Sequence, residues 1–256
     1  MVAVPHIWLS SPPAPVVVIA GLSISQRELQ DKLKEEIIMD LKGQIDKWLN
    51  KGKIVFDQEK HEEVIKCIDK IIELYPDHAD AWFKRGLILC DQEKYKEAII
   101  CFDKLIEIYP NASMAWNGKG GILAALGKYE EAIICFNKTI ELDPAYAHVW
   151  NNKGDVLSSL GKYEEAIECF NKAIELDPKN TFAWTKKGIT LYKLKKYEEA
   201  INYYDKVLEI NPKNEDAKAG KKQTAEEWKT KGDTLSGQGK YEEAIKFYDK
   251  AVEVDP

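Results

Sequence analysis

Tryptophan recurs in this chain at a fixed step. Trp48, Trp82, Trp116, Trp150 and Trp184 each stand 34 residues after the last. A period of that length means one structural unit repeated along the chain, and it dictates the fold before any local pattern is read. Other columns keep the step: Pro76, Pro110, Pro144, Pro178 and Pro212; Gly52, Gly86, Gly120, Gly154 and Gly188; Cys67, Cys101, Cys135 and Cys169. A sixth tryptophan, Trp228, comes 44 residues after Trp184, so ten residues are inserted, and the frame then resumes with Gly232, Tyr241, Ala244, Tyr248 and Pro256. Units are expected at 45–78, 79–112, 113–146, 147–180, 181–214 and 225–256, with the insertion at 215–224.

Each unit reads as two helices. Trp, Gly four later and Leu three after that share one helical face, as in Trp116, Gly120 and Leu123. A break at Leu126-Gly127-Lys128 leads into Tyr129–Ile140, whose first turn is acidic, as a helix dipole favours. Pro144 then stops the helix, because proline supplies no amide proton. Gly120 and Ala132 fall where two helices need close approach, and Trp116 and Phe136 are large enough to fill the space between units.

These columns resemble the tetratricopeptide repeat family, whose pattern is Trp, Leu-Gly, Tyr, Ala, Phe and Pro. The resemblance covers 45–256. It implies an all-α fold, an α-α superhelix of antiparallel helix pairs. The chain departs from the pattern before each Gly, where Lys51, Arg85, Lys119, Lys153, Lys187 and Lys231 replace Leu. The first unit is the least regular, with His61, Val64 and Ile68 in the Tyr, Ala and Phe columns.

Outside the lattice, residues 1–24 hold Pro5, Pro12, Pro13 and Pro15 and no charge, so an extended or disordered segment is expected. Ser25 to Glu28 has the form of a capping box, and Leu29, Leu33, Ile37 and Leu41 follow at spacing four. A helix over about 26–42, within a segment 25–44, is expected to cap the first unit and could run on into that unit's first helix. In the insertion, Asn214 is placed to cap one long helix over roughly 215–237. Its added turns read as solvent-exposed spacer; only the Lys218–Lys222 cluster argues otherwise, as a charged handle.

No catalytic set emerges, and no enzyme activity, cofactor or metal site is expected. The four histidines have no metal-ligand spacing. Gly118-Lys-Gly-Gly121 falls on the repeat's own glycine column and lacks the phosphate-loop frame. Cysteines in equivalent positions of stacked units lie about 10 Å apart, beyond disulfide reach, and read as small buried hydrophobes. Cys90 is the exception, on a first helix. The balance of 37 Lys+Arg against 43 Asp+Glu, net −6, offers no field for nucleic acid. The longest apolar run, Val16–Leu22, is far short of the roughly 20 residues that span a bilayer. With no Lys or Arg before Arg27, an export signal is not indicated, and a cytoplasmic location is expected.

The resemblance also implies a function. In tetratricopeptide proteins the first helices line a concave groove that binds peptides or partner helices. Carried over by register, that groove takes Phe83, Leu87 and Cys90, then Asn117 and Gly121, then Asn151 and Asp155, then Phe182 and Tyr192. Ala124, Ala125, Ser158 and Ser159 make its middle small, and the last unit adds Glu226, Lys229, Asp233, Ser236 and Gly237. The Lys and Asn or Arg pairs that clamp acidic chaperone tails are missing, so a basic or neutral partner is favoured. Side-chain amides at Asn117 and Asn151 suit a ligand backbone. The expected role is a protein–protein interaction scaffold. The alternatives are a targeting module of a larger enzyme, as in glycosyltransferases that carry such repeats, or self-assembly through uncapped ends. A homo-oligomer would use the C-terminal unit or the uncharged Val2–Leu22 segment, which could also lie in the groove.

Overall fold

The structure is a computed structural model; it describes residues 17–19, 22–24, 26–49 and 58–254, with side chains for 28–40, 43 and 61–254. The chain divides into two compact units, Met1–Asp91 and Gln92–Pro256.

The first unit opens with an element that the all-α expectation did not contain. Strands β1 (Val17–Ile19) and β2 (Leu22–Ile24) pair antiparallel, Val17 opposite Ile24. β-branched residues suit a pleated backbone, which explains strand rather than helix here. The rest of 1–24, including Trp8 and the prolines, lies outside the described residues, and so does the expectation that this segment occupies a groove.

Helix α1 (Gln26–Leu49) is longer than the expected 26–42 and runs on through Trp48, with no proline to stop it before Pro76. It lies against α2 (Gln58–Leu74). The expected capping stripe is not buried, however: Leu29, Leu33 and Ile37 are exposed, Leu33 by 59%. α2 packs on α3 (Ala79–Asp91) through Val64, Ile68, Ile71, Ala81 and Ile88, so the least regular unit still forms a core there.

The second unit is a run of nine described helices. They are α4 (Tyr95–Ile108), α5 (Ser113–Ala125), α6 (Tyr129–Leu142), α7 (Ala147–Ser159), α8 (Tyr163–Leu176), α9 (Thr181–Lys193), α10 (Tyr197–Ile210), α11 (Glu215–Gly237) and α12 (Tyr241–Val254). Each neighbours the next, so every second helix from α6 to α10 is held between its own first helix and the following one. Successive first helices also touch, α5 with α7, α7 with α9 and α9 with α11. In a curved stack the layer whose members approach each other is the inner one. Within this unit the array is an α-α solenoid of helix pairs, as the resemblance implied.

The repeated columns explain the packing. Gly120, Gly154, Gly188 and Gly232 lie against the rings of Phe136, Phe170, Tyr204 and Tyr248, and an added Cβ would meet those rings at 2.6–2.7 Å. Only glycine admits that approach. Each Trp indole ties back to its own Pro column: Trp82, Trp116, Trp150 and Trp184 donate Nε1–H to the carbonyls of Pro76, Pro110, Pro144 and Pro178 at 2.7–3.2 Å. The basic residue that replaces the family's Leu also has a partner. Arg85 reaches Asp69 at 2.8 Å, and Lys119 and Lys187 reach Asp103 and Asn171 at 2.6 Å, each sixteen residues back on the preceding second helix. Three of the turns between paired helices carry glycine with positive φ (Gly127, Gly161, Gly239), and Glu93 and Lys195 hold the same conformation without it.

Helix α11 differs from the expected spacer. Its first part continues the 34-residue step from α9. Asn214 caps it by accepting from Ala217 N–H at 2.9 Å, as Asn180 accepts from Ala183 at 3.0 Å. Ala217 is buried like Ala183, and Thr224 like Thr190. Gly220 receives the ring of Tyr204, and Lys221 reaches Asp205 at 2.6 Å, as Lys187 reaches Asn171. Residues 215–227 are therefore a full first helix docked on α10. Only beyond them does the frame marked by Trp228 begin, where Gly232 packs on Tyr248 of α12. Ten residues at 1.5 Å rise put α12 about 15 Å further along α11 than an unbroken frame would. Trp228 has no proline six residues before it, and it is 4% exposed, set edge-on to Tyr197.

Candidate binding face

The expected groove residues fall in both units. Phe83, Leu87 and Cys90 share one face of α3 in the first, where Leu87 is exposed and Phe83 and Cys90 are half-buried. The others lie on the inner layer of the second, on α5, α7 and α9.

On α5, Gly121 is exposed, and a Cβ added to it would meet nothing within 4 Å. It therefore differs from Gly118 and Gly120 beside it, which are pressed against Phe102 and Phe136. Ala125 next to it along the helix face and Ser159 on α7 are also exposed. Gly121, Ala125 and Ser159 are thus small and exposed on these two helices.

The two amides expected to face a ligand differ in access. Asn117 Oδ1 accepts from Nδ2 of Asn152 at 3.1 Å. Asn151 is 3% exposed, and its Oδ1 has no hydrogen-bond partner. Asn117, at the equivalent position of the preceding unit, is only half-buried, so register alone overstated the access of Asn151. Ser158 is buried as well, within 3.4 Å of the Thr190 hydroxyl.

The rim is made of aromatic and charged groups that bridge helices. Lys186 of α9 pairs with Asp155 of α7 at 2.7 Å and lies over the ring of Phe182 at 5.1 Å. Phe182 itself is 47% exposed. Tyr192 donates to Glu227 Oε1 of α11 at 3.1 Å, and its hydroxyl pKa is pushed up to about 12, by burial first and then by that bond. The step from Tyr192 to Glu227 is 35 residues, like that from Asn117 to Asn152. On α11 the inner face is therefore set by the continuing frame and holds Gln223, Glu226 and Glu227. The expected Lys229 and Asp233 belong to the other frame, and Asp233 accepts from the Tyr248 hydroxyl of α12. Sequence reasoning missed this because Trp228 is the conspicuous marker; Asn214, Ala217 and Lys221 at the 34-residue step were the signal.

The cysteines are not disulfide-bonded. Cys101, Cys135 and Cys169 are buried, and burial pushes the Cys169 thiol up to about 11. Among the described residues no group of three or more His, Cys, Asp and Glu is placed to hold a metal ion, and no helix is long and apolar enough to cross a membrane.

The sequence profile of the tetratricopeptide repeat matches residues 48–78, 79–112, 113–146, 147–180, 182–214 and 225–256. No curated protein matches the chain significantly. Solved structures do. MamA from Desulfovibrio magneticus is 21% identical over 70% of this chain and 97% of its own, with a TM-score of 0.61. YrrB, described as a tetratricopeptide repeat protein with an unusual peptide-binding site, is 23% identical over 74% and 92%, with a TM-score of 0.54. The pilF protein of Pseudomonas aeruginosa is 20% identical over 85% and 90%, with a TM-score of 0.62. At these identities the likeness is one of fold.

Proposed function

The chain belongs to the tetratricopeptide repeat family, and we propose that it is a non-enzymatic scaffold that binds an extended peptide on the inner face of α5, α7, α9 and α11. The observation that carries this reading is Gly121. Glycine inside a helix costs about 1 kcal/mol relative to alanine. Gly118, Gly120, Gly154, Gly188, Gly220 and Gly232 offset that cost by admitting a ring, whereas the space over Gly121, in the interior of α5, is open. A ligand backbone close to α5 would use that space.

The neighbouring groups fit an extended chain. The Nδ2 of Asn117 is a donor while its Oδ1 is taken by Asn152. Ala125 and Ser159 leave room for main chain, and Phe182 offers an exposed ring at one side. Glu226 and Glu227 at the far end favour a partner that is neutral or basic there. Peptides selected from a random library on the full chain, mapped by amide shifts, test the reading. Binders should perturb Gly121, Ser159 and Asn117 and compete with one another. Binders that leave these three residues unmoved would count against it.

A further inference from the structure

The displaced α12 leaves a cleft between the start of α10, the second half of α11 and α12 itself. Its volume is about 540 Å³, the size of a site for a small molecule or a peptide side chain. One wall is aromatic, formed by Tyr197, Trp228 and Phe247, with the Tyr197 ring edge-on to Trp228 at 6.4 Å. The charged lining is Lys195, Lys231, Glu198 and Glu227.

The two acids are engaged. Lys250 holds Glu198 at 2.5 Å, and Tyr192 donates to Glu227. The two lysines have no ion pair among the described residues, although Lys231 stands over the Phe247 ring at 4.4 Å. The hydroxyls of Thr230 and Thr234 have given their protons to the carbonyls of Glu226 and Thr230, so they add no donors. The Glu198 carboxyl is held below the ordinary carboxylate range, first by its bond from Lys250, with Lys231 adding to the field.

We infer that the cleft is a second binding site, sharing only Glu227 with the inner face, for an acidic peptide segment in which a carboxylate adjoins an aromatic side chain. The carboxylate bridges Lys195 and Lys231, and the ring lies against the partly exposed Phe247, with the buried Trp228 behind it. A cationic ligand would meet two ammonium groups that have no ion pair among the described residues and find both acids hydrogen-bonded. Charge-assisted bonds to an anion use the groups that remain.

The test is titration of the ¹⁵N-labelled full chain with acetyl-Glu-Phe-Asp-amide, acetyl-Gln-Phe-Asn-amide and acetyl-Lys-Phe-Arg-amide. The acidic peptide should shift the Trp228 indole and the amides of 195–198 saturably, with Gly121 and Ser159 unmoved. The neutral peptide should bind about tenfold more weakly, and so should the acidic peptide to Lys195→Gly or Lys231→Gln. Lys195→Gly relieves a positive φ of 60°, so loss of fold does not explain its result. Equal affinity for the neutral peptide, tighter binding of the cationic one, unchanged affinity in both variants, or an unmoved Trp228 indole would overturn the inference. Shifts confined to Gly121 and Ser159 would reject the cleft while leaving the inner face standing.

Discussion

The indole Nε1–H of Trp184 donates to the carbonyl oxygen of Pro178, six residues earlier, at 3.0 Å. The tryptophan and proline columns are thus two ends of one bond, made in each of four turns. It pins the start of a first helix to the end of the preceding second helix. Trp184→Phe keeps a ring to stack on Tyr203, now 5.4 Å away, but removes the donor. The loss should be about 1 kcal/mol, read from the urea midpoint. An unchanged midpoint would mean the bond is incidental to stability.

Gly220 sits where the ring of Tyr204 arrives from α10, and Tyr204 also touches Gly188. Gly220→Ala should therefore destabilise the second unit by roughly 1–3 kcal/mol through overpacking. If residues 215–224 were a solvated spacer, the same change would stabilise a helix interior. The sign of the shift in unfolding midpoint separates the two.

Tyr192 ionises near 10 when unfolded and near about 12 in the fold. A proton is bound more tightly in the native state. Its contribution is therefore complete below the unfolded value and is lost as pH rises through the folded one. Denaturant midpoints at about pH 9 and about pH 11 should show a smaller fall in Tyr192→Phe than in the parent chain. An identical fall would place the alkaline loss on other tyrosines.

Cys101, Cys135 and Cys169 are buried, and burial raises the Cys135 and Cys169 thiols. In the native chain at neutral pH a disulfide reagent should leave all three unmodified, with full reaction only after unfolding. Rapid native labelling of Cys169 would contradict the packing of α8.

The helix pairs were legible because their period is carried by residues with no substitute. Glycine under a ring and tryptophan bonded to a proline carbonyl leave fixed columns. The role of the lysine before glycine was not legible, since its acceptor lies sixteen residues back on another helix, at Asp103 or Asn171. The change of frame in α11 was misplaced because a helix can carry two registers with no break in its backbone. Register expects both Gly121 and Asn151 to be accessible; Gly121 is exposed and Asn151 is buried. Access depends on how closely adjacent first helices approach, and no column in the sequence reports that distance. The strand pair at 17–24 was hidden among prolines and uncharged residues.

The most direct measurement pairs stability with binding in Gly121→Ala. With nothing within 4 Å of the new methyl, helix propensity alone should raise stability by up to about 1 kcal/mol. If the open space over Gly121 is where a peptide main chain lies, the same variant should bind library-selected peptides at least about tenfold more weakly. A more stable protein that binds worse is the predicted result. A more stable protein that binds its peptides unchanged would contradict the assignment of the inner face.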